Sequence, residues 1–220
     1  MLSLESLAEL AQHHAAALPA KVAEFEIRGH SFNSANRPHL MGVINLSADS
    51  WYRESVVTST DSALARARRL RAEGAHLIDL GAESSLHHAA RIDPAQQIAT
   101  LLPILQPLAQ EGSLISIETY QPEVARRCLE AGAAVLNLTG SRPPDDLYRT
   151  VAAHRAGIIL CYVQGENVRA VGDFVHSPDH ATALLDYFRR EIDRAVQAGV
   201  HAIWIDPGLG FYYKNLQDSN

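Results

Sequence analysis

From about residue 40 onward the chain alternates short apolar runs with longer amphipathic ones. The runs HLMGVIN, AHLIDL, LISIET, AVLNLTG, GIILCYV and HAIWID are rich in Ile, Leu and Val, and each predicts a strand buried on both faces. The segments between them carry helical patterning, clearest in SPDHATALLDYFRREIDRAVQAG. There Ser177 is suited to cap, Pro178 to fill the first turn, and Gly199 to stop the helix, with Leu184, Phe188, Ile192 and Val196 on one face. Helical patterns near Thr60–Glu73 and Gln121–Ala131 end at Gly74 and Gly132 in the same way. Ahead of these units, MLSLESLAELAQHHAAAL predicts a surface helix capped by Ser3.

Strand and helix in regular alternation imply a parallel sheet, either doubly wound or closed into a barrel. The polar residues separate the two. Asn45, Glu118 and Asp206 end the first, third and sixth predicted strands, while Asp79 and Asn137 lie late in the second and fourth. Polar groups from nearly every strand converge on one point only when the sheet closes, which favours a TIM-like (β/α)8 barrel. A barrel of this kind usually takes about 250 residues and eight strands. Six strands therefore read as a barrel truncated after the sixth, over residues 37–220, preceded by an N-terminal helix and lead-in over 1–36.

With 220 residues, 47% hydrophobic and 20% charged, the chain is long enough to bury a full core. A net charge of -6 with no Lys/Arg run argues against a nucleic-acid partner. No run approaches the roughly 20 apolar residues of a membrane span, and the N-terminus lacks a basic leader, so a cytoplasmic protein is expected. Cys128 and Cys161 show no CxxC or metal spacing and predict reduced core thiols.

Asp206 precedes Pro207, Gly208 and Gly210, so it is either an acid capping a turn or a carboxylate facing a ligand that the glycines let approach. Asn137 and Glu118 sit in apolar runs, where an amide or carboxylate needs donors and acceptors from elsewhere. Each alone reads as a satisfied core group. Together, two acids and an amide offer acceptors to a flat ring bearing an amino group and an adjacent NH, with Phe211 as a stacking face. Asn45 opens NLSADSW, a polar loop suited to a phosphate oxygen or a magnesium-bound water, or held simply by its own Asn and Ser turns. His87, His88, His176 and His180 read as loop or capping residues.

The stretches LMGVINLSADSW, LIDLGAESS, SIETYQPEVARRCLEAGAAVLNLTG, CYVQG and DPGLGF resemble, in order and spacing, those of the pterin-binding (β/α)8 barrel family, and within it the dihydropteroate synthases. The resemblance implies a commonly dimeric transferase of folate biosynthesis. Such an enzyme condenses 6-hydroxymethyl-7,8-dihydropterin diphosphate with 4-aminobenzoate and releases pyrophosphate with the help of Mg2+. Carried over by position, it implies that Asn45 meets the diphosphate and its magnesium, and that Glu118, Asn137 and Asp206 hold the pterin. Phe211 and Ser85 would lie on the aminobenzoate side. Glu118 and Asp206 would be the catalytic acids, stabilising positive charge on the pterin methylene as pyrophosphate leaves.

The chain departs from the family pattern at several points. Glu118 stands where the family has Asp, moving the carboxylate by roughly 1 Å, a displacement able to cost about 100-fold in rate. The family's Ser-Thr-Arg-Pro-Gly loop appears as Ser84, Ser85, Leu86, His87 and His88, with Arg91 as a candidate replacement for the lost Arg. Tyr162 replaces a family His. These changes keep two alternatives open: a methyltetrahydrofolate-dependent methyltransferase, or a non-catalytic pterin-binding accessory protein.

Overall fold

The computed structural model describes residues 3–33, 38–47, 56–57, 59–84, 91–171, 173–175 and 179–209. Helix α1 (Leu4–His13) opens the chain, its Ser3 oxygen accepting from the Ser6 N–H at 3.1 Å as predicted. The six predicted strands all form: β3 (Met41–Asn45), β4 (Leu77–Gly81), β5 (Ile115–Thr119), β6 (Val135–Leu138), β7 (Gly157–Cys161) and β8 (Ile203–Asp206). They make one parallel sheet in the order β3-β4-β5-β6-β7-β8. A doubly wound sheet reverses its strand order at a switch point. This one never does, which is the order of a barrel wall.

Helices α2 (Thr60–Ala72), α3 (Pro94–Gln110), α4 (Pro122–Glu130), α5 (Asp145–Ala153) and α6 (His180–Gln197) link successive strands. Alternate strand residues such as Ile78, Leu80, Ile115, Ile117, Leu136, Ile158 and Leu160 pack with them into the main core. The predicted stops Gly74, Gly132 and Gly199 take φ of 106°, 109° and 94° just past their helices.

Helix α6 departs from its predicted pattern. Ser177 and Pro178 lie outside the described residues, and the cap is Asp179, whose Oδ1 accepts from the Thr182 N–H at 2.9 Å. Phe188 is buried and Leu184 and Ile192 pack partly, but Val196 is 56% exposed. The buried set is Tyr187, Phe188, Glu191 and Ala195. An acid can occupy that face because Glu191 accepts from Tyr148 Oη, Arg190 and Arg194 at 2.9, 2.9 and 2.7 Å.

The lead-in holds an element that the hydrophobic pattern did not reveal. Strands β1 (Phe25–Ile27) and β2 (His30–Phe32) form an antiparallel hairpin turned by Arg28 and Gly29, both at positive φ. This is the turn geometry that matches strand twist in two-residue hairpins. Ile27 and Phe32 are buried with Leu77, Leu114, Ala134, Val135, Ile159 and Ala202, at the starts and on the inner face of the barrel strands. Phe25 and Phe32 also meet the Trp204 ring edge-on, at 4.6 and 5.1 Å between centroids. Arg28 fixes the hairpin by donating to the Gly132 and Ala133 carbonyls at 2.7 and 2.8 Å. A Cβ on Gly157 would fall 2.7 Å from Ile27 Cδ1 and 2.9 Å from Trp204 Cζ3, so any side chain there would force the hairpin or the Trp204 ring to shift.

The hairpin thus covers the amino end of the strands, opposite their carboxyl ends. Strands β3 and β8 are the sheet's edges among the described residues. Val43 and Ile205 on them remain 36% and 54% exposed.

Candidate functional site at the carboxyl ends of the strands

Strand geometry decides which side chains share the inner face at the carboxyl ends. Side chains alternate along each strand, so Asn45, Asp79, Gly81, Glu118, Asn137, Cys161 and Asp206 all point to the side opposite the helices. Register then aligns them: Asn45 pairs with Gly81, Gly81 with Glu118, Glu118 with Asn137, and Cys161 with Asp206. Four of the predicted site residues, Asn45, Glu118, Asn137 and Asp206, are therefore brought to one end and one face.

Gly81 is what lets two of them converge. A Cβ there would fall 3.1 Å from Glu118 Oε2 and 3.4 Å from Asn45 Oδ1. The longer Glu118 side chain occupies space over β4 that any other residue at 81 would contest.

A hydrogen-bonded chain joins the rest. Asn137 Nδ2 donates to Asp79 Oδ2 at 3.1 Å, while Cys161 Sγ lies 3.7 Å from Asn137 Oδ1 and 3.4 Å from Asp206 Oδ2. Asp206 Oδ1 accepts from the Gly208 N–H at 2.8 Å. The turn-capping reading of Asp206 is thus realised by one carboxylate oxygen, while the other accepts from the Cys161 thiol on the inner face.

Burial sets the electrostatics. Asp79 is 4% exposed, and burial raises its pKa against the opposing effects of Ser116 and Asn137. Burial also pushes Glu118 up to about 7; the Thr139 hydroxyl, donating at 2.5 Å, opposes the rise, Asp79 and Glu83 add to it, and Arg169 draws it down. The Cys161 thiol is driven well above its ordinary range by burial and by Asp206, so it acts as a neutral donor rather than a thiolate. The result is a polar floor in which Asp79 and Glu118 hold their protons more tightly than free carboxyls.

A second cluster flanks this floor and was not read from the sequence. Glu83, just past β4, accepts from Tyr120 Oη at 2.7 Å and from the Ile92 N–H at 3.0 Å. Its partner is the buried Arg169, 3.5 Å away. Burial and Glu83 together push the Tyr120 hydroxyl up to about 12. Arg169 lies in a stretch without helical or strand periodicity, so no pattern marked it, whereas Arg91, the replacement considered from sequence, is exposed.

Phe211 and Ser85 lie outside the described residues, as do His87 and His88. Among the described residues, no group of three or more His, Cys, Asp or Glu is arranged to hold a metal ion, and no helix is long and apolar enough to cross a membrane.

Comparison with known proteins agrees with this geometry. The family model described as pterin binding enzyme matches residues 41–220, from the first residue of β3 onward. The chain is 32% identical over 184 residues to a dihydropteroate synthase of Synechocystis, covering 82% of this chain and 63% of that protein. It is 32% identical over 195 residues to one of Streptococcus pyogenes, covering 87% and 68%. The crystal structure of Yersinia pestis dihydropteroate synthase with a sulfonamide drug complex superposes with a TM-score of 0.75 at 27% identity, over 86% of this chain and 69% of that one. The Thermus thermophilus enzyme in complex with 4-aminobenzoate gives 0.69 at 27% identity, over 86% and 67%. The chain spans about two thirds of the length of these relatives. With strand order, strand-end residues and relatives all in accord, the chain belongs to the pterin-binding enzyme family.

Proposed function

We propose that this chain carries the pterin half of a dihydropteroate synthase. In this reading it joins 6-hydroxymethyl-7,8-dihydropterin diphosphate to 4-aminobenzoate, with loss of pyrophosphate, in folate biosynthesis. The observation that carries the reading is the single inward face shared by Glu118, Asn137 and Asp206, with Asp79 hydrogen-bonded to Asn137 and Cys161 joining Asn137 to Asp206. The names of the relatives and the 4-aminobenzoate in the Thermus structure support the same substrate pair.

Each residue then has a chemical task. Asp206, anchored through Oδ1, turns Oδ2 to the amino and NH edge of the pterin. Asn137 is oriented by Asp79, so its carbonyl oxygen also faces the ring as an acceptor. Glu118, titrating at about 7, offers a donor below that pH and an acceptor above it. Attack by the aminobenzoate nitrogen forms a C–N bond at the pterin methylene as the C–O bond to diphosphate breaks. The nitrogen then releases its proton. Fixed carboxylates around the ring stabilise the positive charge that develops at the methylene, and no protein nucleophile is required.

Magnesium fits this site as a partner of the diphosphate. The ion usually keeps several waters and takes one or two protein oxygens plus substrate phosphates. Asn45, on the inner face at the carboxyl end of β3, would be the residue to hold it. When bound, the ion neutralises charge on the departing pyrophosphate. A cytoplasmic homodimer is part of the same reading.

The test is direct. The full-length protein, incubated with the pterin diphosphate, 4-aminobenzoate and magnesium, is expected to form dihydropteroate and pyrophosphate in equal amounts. A folded protein that binds the pterin and yields no product would make it a non-catalytic relative. Methyl transfer from methyltetrahydrofolate would move it to the methyltransferases.

A further inference from the structure

We propose that Arg169 is a positioning residue that sets the stem of the connection between β4 and α3 from a different loop, the one between β7 and α6. Its side chain is 2% exposed, and the partnering Glu83 side chain 6%. The Arg169 Nη1 donates to the Ser84 carbonyl at 2.6 Å and lies 3.5 Å from Glu83 Oε1. Glu83 Oε1 in turn accepts from the Ile92 N–H. Residues 83 and 84 leave β4 and residue 92 leads into α3, so one guanidinium gathers both ends of the connection.

Arg169 is itself firmly placed. Asn167 Oδ1 accepts from the backbone N–H of Arg169 and of Ala170 at 2.9 and 3.0 Å, which fixes the local turn. Val168 donates to the Thr139 carbonyl at 3.1 Å and Ser141 to the Glu166 carbonyl at 2.9 Å. Val163, Val168 and Val171 bury themselves with Cys161. The same loop therefore braces Thr139, the donor to Glu118, and reaches across to Glu83.

The chemistry needs arginine. Both contacts come from Nη1, whose two N–H groups lie in the plane of a permanently charged guanidinium and can serve the carbonyl and the carboxylate together, where lysine offers a compact, strongly hydrated ammonium. A buried pair of this kind adds little net stability, but losing one partner strands the other charge. Such pairs serve to specify geometry. Under the function proposed above, on which this part of the inference rests, the stem at Glu83 and Ser84 borders the aminobenzoate side. Arg169 then sets affinity for aminobenzoate without touching it.

The test uses the full-length protein and two variants, Arg169→Met and Arg169→Lys. In Arg169→Met the Ile92 amide is expected to exchange with solvent at least about tenfold faster by NMR, while Ile117 in the middle of β5 is unchanged. In turnover, KM for 4-aminobenzoate should rise about tenfold and KM for the pterin diphosphate by less than about twofold, a split that general loosening would not produce. Arg169→Lys, which keeps the charge and loses the planar guanidinium, should fall between. Ile92 exchange equal to wild type in a folded Arg169→Met protein overturns the proposal. If that variant does not fold, wild-type exchange in Arg169→Lys overturns it equally. A wild-type protein without turnover removes the proposed function but leaves the Ile92 measurement to decide the role of Arg169.

Discussion

Replacing Glu118 by Gln removes an ionisation and keeps the shape, because the amide oxygen can still accept from the Thr139 hydroxyl. Glu118 is raised from its ordinary 4.5 to about 7, with burial as the largest cause. Below pH 4.5 the carboxyl is protonated in both folded and unfolded chains, so the fold bears no charging penalty. Between 4.5 and 7 the unfolded chain releases a proton that the folded one keeps, and stability falls as pH rises. Above 7 the loss is complete. Over that interval the loss amounts to about 3 kcal/mol at roughly 1.4 kcal/mol per pH unit, and about 2 kcal/mol after allowing for solvent screening. The amide of the Glu118→Gln variant does not titrate, so the stability of wild type minus that of the variant should drop by about 2 kcal/mol between pH 4 and pH 8. Urea unfolding of both proteins at intervals across that range measures the difference directly, and titrations common to the two cancel except where they couple to Glu118. A gap that stays constant within about 0.5 kcal/mol would show that Glu118 ionises like a free carboxyl, and the account of the buried floor would fail.

Two further substitutions probe the two ends of the strands. Gly157→Ala places a methyl 2.7 Å from Ile27 Cδ1 and 2.9 Å from Trp204 Cζ3, and should lower stability by about 1–3 kcal/mol in thermal unfolding; an unchanged Tm would mean that the hairpin is not seated there. Asp206→Asn keeps an acceptor for the Gly208 N–H and removes the charge, so stability should hold within about 1 kcal/mol while pterin affinity falls about 10–100-fold by calorimetry. Equal affinity would place the pterin elsewhere.

How much of this was legible in the sequence depended on periodicity. All six barrel strands were readable because each is a short, dense apolar run. Their late polar residues stood out against that background as misfits needing a reason. The hairpin did not stand out. Its strands are three residues each, and its Arg28-Gly29 turn lacks the Asn-Gly or Asp-Gly signature. Cys161 read as a core thiol, which its burial bears out, but only register shows that it stands beside Asp206 and bridges to Asn137. Glu191 on α6 and Arg169 in its loop were invisible for a shared reason: a buried charge is permitted by partners distant in the chain, and no local pattern encodes them. The departures from the family's Ser-Thr-Arg-Pro-Gly loop were readable as losses, while the buried Arg169 that contacts Glu83 and Ser84 came only with the fold.

The hairpin also bears on how the chain assembles. Arg28 finds its acceptor at Gly132, 104 residues later, and Phe25 and Phe32 pack against Trp204 on β8. During synthesis these two aromatic rings emerge early and lack that cover until β8 arrives. Such delayed partnering slows folding and leaves sticky surface exposed to other nascent chains. The element that seals the base of the finished protein is therefore also the one most dependent on rapid completion or chaperone shelter.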